Sequence, residues 1–281
     1  MLRTQPPVRA LTPQDRDEAL RLCARDPAAN VFVAARIQEG ALVCMPGSVL
    51  GVHRRGALVG LAWASANLVP VECDDDALDA VAQRVRRWRR QCASVFGPSA
   101  QVQGLWERLA PSWGPPRSVR SHQPLMSTQV APSQLGLAVS PLVRRARPDE
   151  VDVVLPAAAA MFTDEIGYPP YVGSSASYRC VIAGLVAAGH TYVWVEDRAT
   201  LFKADIGSVG VDAAQIQGVW LAPRLRGQGV AKPLVAAVTE AVLRDVAAMA
   251  CLYVNDFNTP ARATYLGLGY REVGSFTTVL L

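Results

Sequence analysis

The fold of the second half is decided by one stretch, which reads Gln217-Gly218-Val219-Trp220-Leu221-Ala222-Pro223-Arg224-Leu225-Arg226-Gly227-Gln228-Gly229-Val230-Ala231. Its order predicts an apolar strand, a turn bounded by proline, a basic turn with two glycines, and then a long helix. The first turn of a helix leaves backbone N–H groups without partners, and the helix dipole makes that end positive. Because Gly227 and Gly229 carry no blocking side chains, a diphosphate can lie on these amides. Taken alone, the stretch also fits an ordinary strand–loop–helix connection.

A second pattern follows about 30 residues further on, and it reads Asn255-Asp256-Phe257-Asn258-Thr259-Pro260-Ala261-Arg262-Ala263-Thr264-Tyr265-Leu266-Gly267-Leu268-Gly269-Tyr270. Thr259 and Pro260 are typical of a helix start. Ala261 and Tyr265 are four positions apart, so a helix places them on the same face. The pattern therefore predicts a short helix that presents Tyr265 beside a small residue.

Together, the two patterns resemble motifs A and B of the GNAT superfamily of acyl-CoA-dependent N-acetyltransferases. Arg226, Gly229 and Ala231 meet motif A, (Q/R)-x-x-G-x-(G/A). The run from Asn258 to Tyr270 meets every fixed position of motif B, N-x-x-A-x-x-x-Y-x-x-x-G-(F/Y). The resemblance covers residues 141–281, about half of the chain. It implies the α/β (α+β) GNAT fold, a mixed, mostly antiparallel twisted sheet flanked by helices.

The resemblance also implies acetyl-CoA as a co-substrate, with no metal. In the family the glycine-containing turn holds the diphosphate and the preceding strand pairs with the pantetheine, while a strand N–H polarises the acyl carbonyl. Carried over by position, the cofactor-binding residues are Val219, Trp220, Leu221, Arg226, Gly227, Gln228, Gly229, Val230, Ala231 and Asn258. Tyr265 is expected to protonate the leaving thiolate; the alternative is an aromatic side chain that only packs between helix and sheet.

The general base is less well defined by the sequence. Many family members place a glutamate on the strand before motif A, but here Gln215 and Gln217 occupy that strand and cannot take a proton. The nearest carboxylates are Asp164 and Glu165, in a Gly- and Pro-containing segment where the family's first two helices cover the acceptor. Glu165 is the candidate base. A solvated acidic loop and a water chain to bulk solvent remain as alternatives, and direct attack is preferred to a covalent intermediate on a cysteine.

An internal repeat divides the chain into two halves. Val8–Asp15 resembles Val143–Glu150, and each copy is followed by two apolar strands that predict a hairpin. We therefore predict two tandem GNAT-like domains, residues 1–135 and 141–281, with a boundary near 131–141 in a Pro- and Ser-rich region. In the first half the position of motif A holds Asp74, Asp75 and Asp76, which satisfy a helix start and repel a diphosphate. That half is predicted to be a degenerate copy without a CoA site.

The composition argues against a dedicated nucleic-acid binder, a membrane-spanning protein and a disulfide-bonded protein. The 281 residues are 51% apolar with a formal net charge of +4, which is far from the basic balance of a dedicated nucleic-acid binder. No apolar run is long enough for a membrane span and residues 1–7 contain no signal core, so a cytoplasmic protein is expected. The six cysteines form no CxxC pair and are interpreted as free thiols.

Two functions follow from these observations. The leading hypothesis is an enzyme that moves an acetyl group from acetyl-CoA to a primary amine, on a small molecule or a lysine side chain. Tandem GNAT proteins with one silent half, similar to mycothiol synthase, make a small-molecule acceptor conceivable. The alternative is a non-catalytic acyl-CoA sensor, for which the missing strand glutamate is the one favourable feature.

Overall fold

The structure is a computed structural model that describes residues 8–281; residues 1–7, in which the sequence predicts no signal core, lie outside the described residues. The described residues form one twelve-stranded sheet with helices on both faces. The strands are β1 Val8–Ala10, β2 Val49–Arg54, β3 Ala57–Ala64, β4 Asn67–Val71, β5 Ser94–Pro98, β6 Ser118–Thr128, β7 Arg144–Arg145, β8 Thr191–Glu196, β9 Ala199–Gly210, β10 Ala213–Leu221, β11 Met249–Tyr253 and β12 Arg271–Leu280. The helices are α1 Arg16–Cys23, α2 Pro27–Gln38, α3 Ala41–Cys44, α4 Asp75–Val85, α5 Ser99–Trp113, α6 Val151–Ile166, α7 Ala176–Ala187, α8 Ala231–Asp245 and α9 Thr259–Gly267.

The second half contains the elements that its sequence predicts, in the predicted order. The apolar run before motif A forms β10, motif A leads into α8, and motif B forms α9. The helix α8 begins at Ala231, after Gly229, whose φ of +76° lies outside helical geometry. Mostly antiparallel strands flanked by helices confirm the predicted fold class.

The two halves repeat one strand plan. Each has an antiparallel set, β1–β4 or β7–β10, followed by a parallel strand, β5 or β11. Both parallel pairs are short, since β4 meets β5 at two positions and β10 meets β11 at three. Beyond these positions neither pairing continues within the described residues, and we call the place where each pairing ends the cleft of that half.

The halves are joined by an exchange of strands at the centre of the sheet. The order is β5-β12-β6-β11, so the last strand of the chain pairs with the first half and β6 pairs with the second. The antiparallel pair β12–β6 lies between the two halves. The Pro- and Ser-rich region from Pro111 to Pro141 therefore contains a central strand, which its composition did not indicate.

The second half is packed on both faces of its sheet. On one face, apolar side chains of β9 such as Phe202 and Ile206 pack with Leu234, Val238 and Val242 of α8. The helices α6 and α2 contact β9 and β10 as well, so these strands lie between helices. Burial of each large apolar side chain contributes about 1.5–3 kcal/mol to folding. This packing fixes the strand that carries the candidate site.

Candidate functional site

The outer half of β10 separates from its neighbour. Pairing with β11 covers Ala213–Gln215, and within the described residues it extends no further toward Leu221. Between Gln217 and Trp220 the register against β9 shifts, and Gly218 takes a φ of +57°. A bulge of this kind bends the strand and re-aims its peptide groups. Of the residues that the resemblance assigns to pantetheine binding, Val219 lies in this bulge, and Trp220 and Leu221 follow it.

The start of α8 presents backbone amides without a side-chain cap. Val230 is the N-cap residue and makes no capping hydrogen bond with its side chain. Gly227 and Gly229 both have a φ of +76°, and a Cβ built on either would meet no atom within 4 Å. The uncapped start of a fifteen-residue helix, preceded by two glycines that face open space, is the geometry that an anion requires.

Side chains of motif A fix the turn before α8. Arg226 donates from Nε to the Leu221 carbonyl oxygen at 3.0 Å, and Gln228 donates from Nε2 to the Arg224 carbonyl oxygen at 2.6 Å. The guanidinium of Arg226 also pairs with the Asp164 carboxylate at 3.1 Å. The turn is thus tied both to the end of β10 and to the last turns of α6.

The helix α9 carries the two motif B residues singled out by the sequence. The Oδ1 atom of Asn258 caps this helix by accepting the Ala261 N–H at 3.3 Å, which leaves its amide nitrogen for another partner. Tyr265 is buried, and its ring centroid lies 5.8 Å from that of Tyr270. Burial raises the pKa of Tyr265 well above its usual range, and the nearby Glu165 carboxylate raises this pKa further. The phenol is therefore protonated at neutral pH.

Glu165 lies at the end of α6, where an arginine from the first half contacts it. The distance from Arg120 Nη1 to Glu165 Oε1 is 3.5 Å, and Arg120 Nη2 donates to the Glu165 carbonyl oxygen at 2.6 Å. The same carboxylate raises the pKa of Tyr253, after the larger effect of burial, to about 12. The two sequence-predicted catalytic residues, Tyr265 and Glu165, are thus brought to one region.

The sequence reasoning missed a buried ion pair beneath the bulge. Lys203 on β9 is fully buried, and its ammonium donates to Asp205 and, at 3.1 Å, to the Gly218 carbonyl oxygen. Asp205 also accepts the Thr191 hydroxyl at 2.9 Å. The signal was present in the sequence, because two opposite charges two positions apart in an apolar strand share one face.

The cleft of the first half is closed by that half's own side chains. Asp74 caps α4 by accepting the Ala77 N–H at 3.0 Å, and Arg54 pairs with Asp74 at 3.0 Å. Gln101, the third residue of α5, accepts the Cys73 N–H at 2.9 Å just after β4. The third residue of α9 in the second half is Ala261, whose side chain cannot reach across.

The thiol of Cys251, on β11, is buried. Burial raises the pKa of Cys251 to about 12, which argues against a thiolate nucleophile at that position. Within residues 8–281 no group of three or more metal-ligating side chains is assembled. Over the same range, none of the helices has the length and apolarity that crossing a bilayer requires.

Comparison with known proteins agrees with this geometry. A family model described as the acetyltransferase (GNAT) family matches residues 159–270, and a domain of unknown function (DUF4081) matches residues 47–154. No curated protein matches the chain.

Solved structures are similar over the whole chain. A GCN5-related N-acetyltransferase from Sphaerobacter thermophilus has 15% identity and a TM-score of 0.61, with 100% of this chain and 97% of that one covered. A tandem GNAT protein from the clavulanic acid biosynthesis pathway has 15% identity and a TM-score of 0.57, with 98% of each chain covered. A GNAT-family acetyltransferase from Colwellia psychrerythraea has 11% identity and a TM-score of 0.55, with 98% and 99% covered.

Solved structures with such low sequence identity show only the fold of this chain. The class of protein is indicated by the family model. Residues 159–270, somewhat less than half of the chain, match the acetyltransferase (GNAT) family. The whole chain shares the fold of a tandem GNAT protein, and its first half matches a domain of unknown function. The description of the GNAT family names acetyl transfer as its activity.

Proposed function

We propose that the second half binds acetyl-CoA and transfers its acetyl group to a primary amine, either of a small molecule or of a lysine side chain. The observation that carries this proposal is the meeting of three features at one place. These are the uncapped start of α8, the separated outer half of β10, and the buried Tyr265 of α9. Residues 141–281 act as the catalytic domain, and residues 1–135 act as a GNAT-like domain that binds no CoA.

Acetyl-CoA is held by backbone groups along β10 and at the start of α8. The amides of Gly227–Ala231 bind the diphosphate, with Arg226 and Gln228 fixing the turn that presents them. The side of Val219–Leu221 that faces away from β9 pairs with the pantetheine, and the amide nitrogen of Asn258 adds a further hydrogen bond. Each hydrogen bond from a backbone N–H to a charged phosphate oxygen contributes about 1.5–3 kcal/mol to binding.

The transfer proceeds by direct attack in a ternary complex. The acceptor must lose a proton, because an ammonium has no lone pair; Glu165 takes it. The amine nitrogen then forms a bond to the acyl carbon, whose oxygen is stabilised by a β10 N–H. The carbon–sulfur bond breaks, and Tyr265 donates its proton to the departing sulfur. The acceptor nitrogen then loses its second proton, which restores the phenol, so that the products are an amide and CoA thiol.

A thiol-release assay over a panel of amines tests this proposal. The panel contains polyamines, amino acids, aminoglycosides and lysine peptides, with each acceptor measured against a blank lacking the amine. An enzyme releases CoA thiol with at least one acceptor, at a rate that falls in the Tyr265→Phe variant. A protein that binds acetyl-CoA by calorimetry but acetylates no amine in the panel would instead fit the alternative, an acyl-CoA sensor, for which the glutamines at positions 215 and 217 are the favourable observation.

A further inference from the structure

A buried lysine contacts the peptide group at the bulge of β10. Lys203 is fully buried, and its ammonium lies 3.1 Å from the Gly218 carbonyl oxygen. A Cβ built on Gly218 would come within 3.2 Å of this ammonium and within 3.0 Å of Asp205. The positive φ of Gly218 and the absence of its side chain therefore permit the contact.

The ion pair is not explained by stability alone. Removing a lysine and an aspartate from water is costly, and an apolar pair of similar size is often equally stable in such a position. Asp205 has its own partners, since it accepts from both Lys203 and Thr191. The remaining contact of the pair, from Lys203 to the Gly218 carbonyl, is the one that reaches the candidate site.

This contact acts on both ends of one peptide group. The carbonyl of Gly218 and the N–H of Val219 belong to the same planar trans peptide, so they point in opposite directions. A cation bound to the carbonyl oxygen fixes the direction of that N–H. It also draws electron density toward the oxygen, which makes the N–H a stronger hydrogen-bond donor.

We propose that Lys203 is a positioning residue that orients and polarises the Gly218–Val219 peptide, so that the Val219 N–H can polarise the acyl carbonyl of acetyl-CoA. Asp205 supplies the counter-charge, and Thr191 holds Asp205. This inference rests on the proposed function, because it deepens the role assigned there to a β10 N–H. Donors aimed in advance at the developing oxyanion cost no reorganisation during the reaction, which is why a fixed peptide group lowers the barrier.

The test measures the ¹³C chemical shift of acetyl-CoA labelled at the acetyl carbonyl, free and bound, without an acceptor amine. Hydrogen bonding to the carbonyl oxygen moves this signal downfield. The Lys203→Met/Asp205→Asn variant leaves no unpaired charge. In this variant we expect the downfield change in chemical shift between free and bound acetyl-CoA to fall by about half or more. We expect kcat to fall about tenfold or more, while KM for acetyl-CoA changes by less than about threefold.

A matched control separates positioning from general loosening of the sheet. Thr200→Val removes a side-chain hydrogen bond of the same strand, to the Val153 carbonyl oxygen at 2.9 Å, but leaves the Lys203 contact to Gly218, so the ¹³C shift should stay at the wild-type value. If the double variant does not fold, Lys203→Gln/Asp205→Asn keeps polar side chains and removes only the charges, and its shift should also fall.

An unchanged ¹³C shift in a folded charge-free variant overturns the inference and leaves the proposed function intact. A wild-type protein that binds no acetyl-CoA overturns both.

Discussion

Arg120 of the first half is ion-paired with Glu165 of the second half, with 3.5 Å between Nη1 and Oε1. The exchanged strand β6 makes this possible. Its Leu125 pairs with Tyr253, the last residue of β11, so the part of β6 that carries Arg120 continues past the end of that strand. The first half therefore contributes a charged side chain beside the residue that we propose as the base.

Replacing Glu165 tests its assignment as the base. If it removes the proton from the acceptor, Glu165→Gln lowers kcat/KM by about 10²-fold, which is typical for loss of a general base. Arg120→Gln should lower it less, because the carboxylate remains but is no longer held. The control is Asp152→Asn, which removes another arginine-paired carboxylate from α6, that of the Arg179 pair, and should leave the rate unchanged. A Glu165→Gln enzyme as fast as the wild type would favour a water chain instead.

The diphosphate site is tested at Gly229. Gly229→Val places a branched side chain on a residue with a φ of +76°, beside the amides that bind the phosphates, so acetyl-CoA affinity by calorimetry should fall at least about tenfold. Gly136→Val is the matched control, since Gly136 also has a positive φ, +68°, and an open Cβ position, but lies between the halves. If the two folded variants bound acetyl-CoA with equal affinity, the turn that contains Gly229 would not be part of the binding site.

The role of the phenol is tested with two tyrosines of the same core. Tyr265→Phe should lower kcat by about 10²-fold and change KM little, because the phenol acts as the thiolate leaves. Tyr270→Phe removes a hydroxyl that bonds Thr239 at 2.9 Å, and should affect stability more than kcat. Tyr265 would be a packing residue if its variant kept the wild-type kcat under conditions where chemistry limits the rate.

A buried carboxylate in the second half gives a pH dependence of stability. The Arg144 guanidinium is the main cause that lowers the pKa of Glu150 from its ordinary 4.5 to about 2. A lowered pKa stabilises the folded state above pH 4.5, and this contribution is lost as the pH falls from there toward 2.

Denaturant unfolding of Glu150→Gln checks this contribution. The variant should be less stable than the wild type at pH 7 by about 1–3 kcal/mol, and the difference should shrink below pH 4. A difference that stays constant between pH 7 and pH 3 would contradict the assignment.

The sequence predicted much of the second half because its signals are local. The glycines of motif A, the helix-start residues Thr259 and Pro260, and the apolar run of β10 each determine their own neighbourhood. The contacts that the sequence did not predict are long-range. Arg120 reaches the site through the pairing of β6 with β11, and the position of Lys203 beneath Gly218 depends on a register shift between β9 and β10. Neither pairing leaves a local pattern in composition or spacing.

The central claim is that the chain has one acetyl-CoA site, in its second half, although its two halves repeat one plan. In the first half, the Asp74 side chain already accepts the Ala77 N–H at the start of α4. The Gln101 side chain crosses the cleft and accepts the Cys73 N–H just after β4. A diphosphate there would also meet carboxylates, and unscreened repulsion at about 4 Å costs about 1 kcal/mol in water and about 4 kcal/mol near a protein surface. Isothermal titration of the intact protein with acetyl-CoA tests this most directly. The account predicts a stoichiometry near one, and a stoichiometry near two, with a second site that survives Gly229→Val, would contradict it.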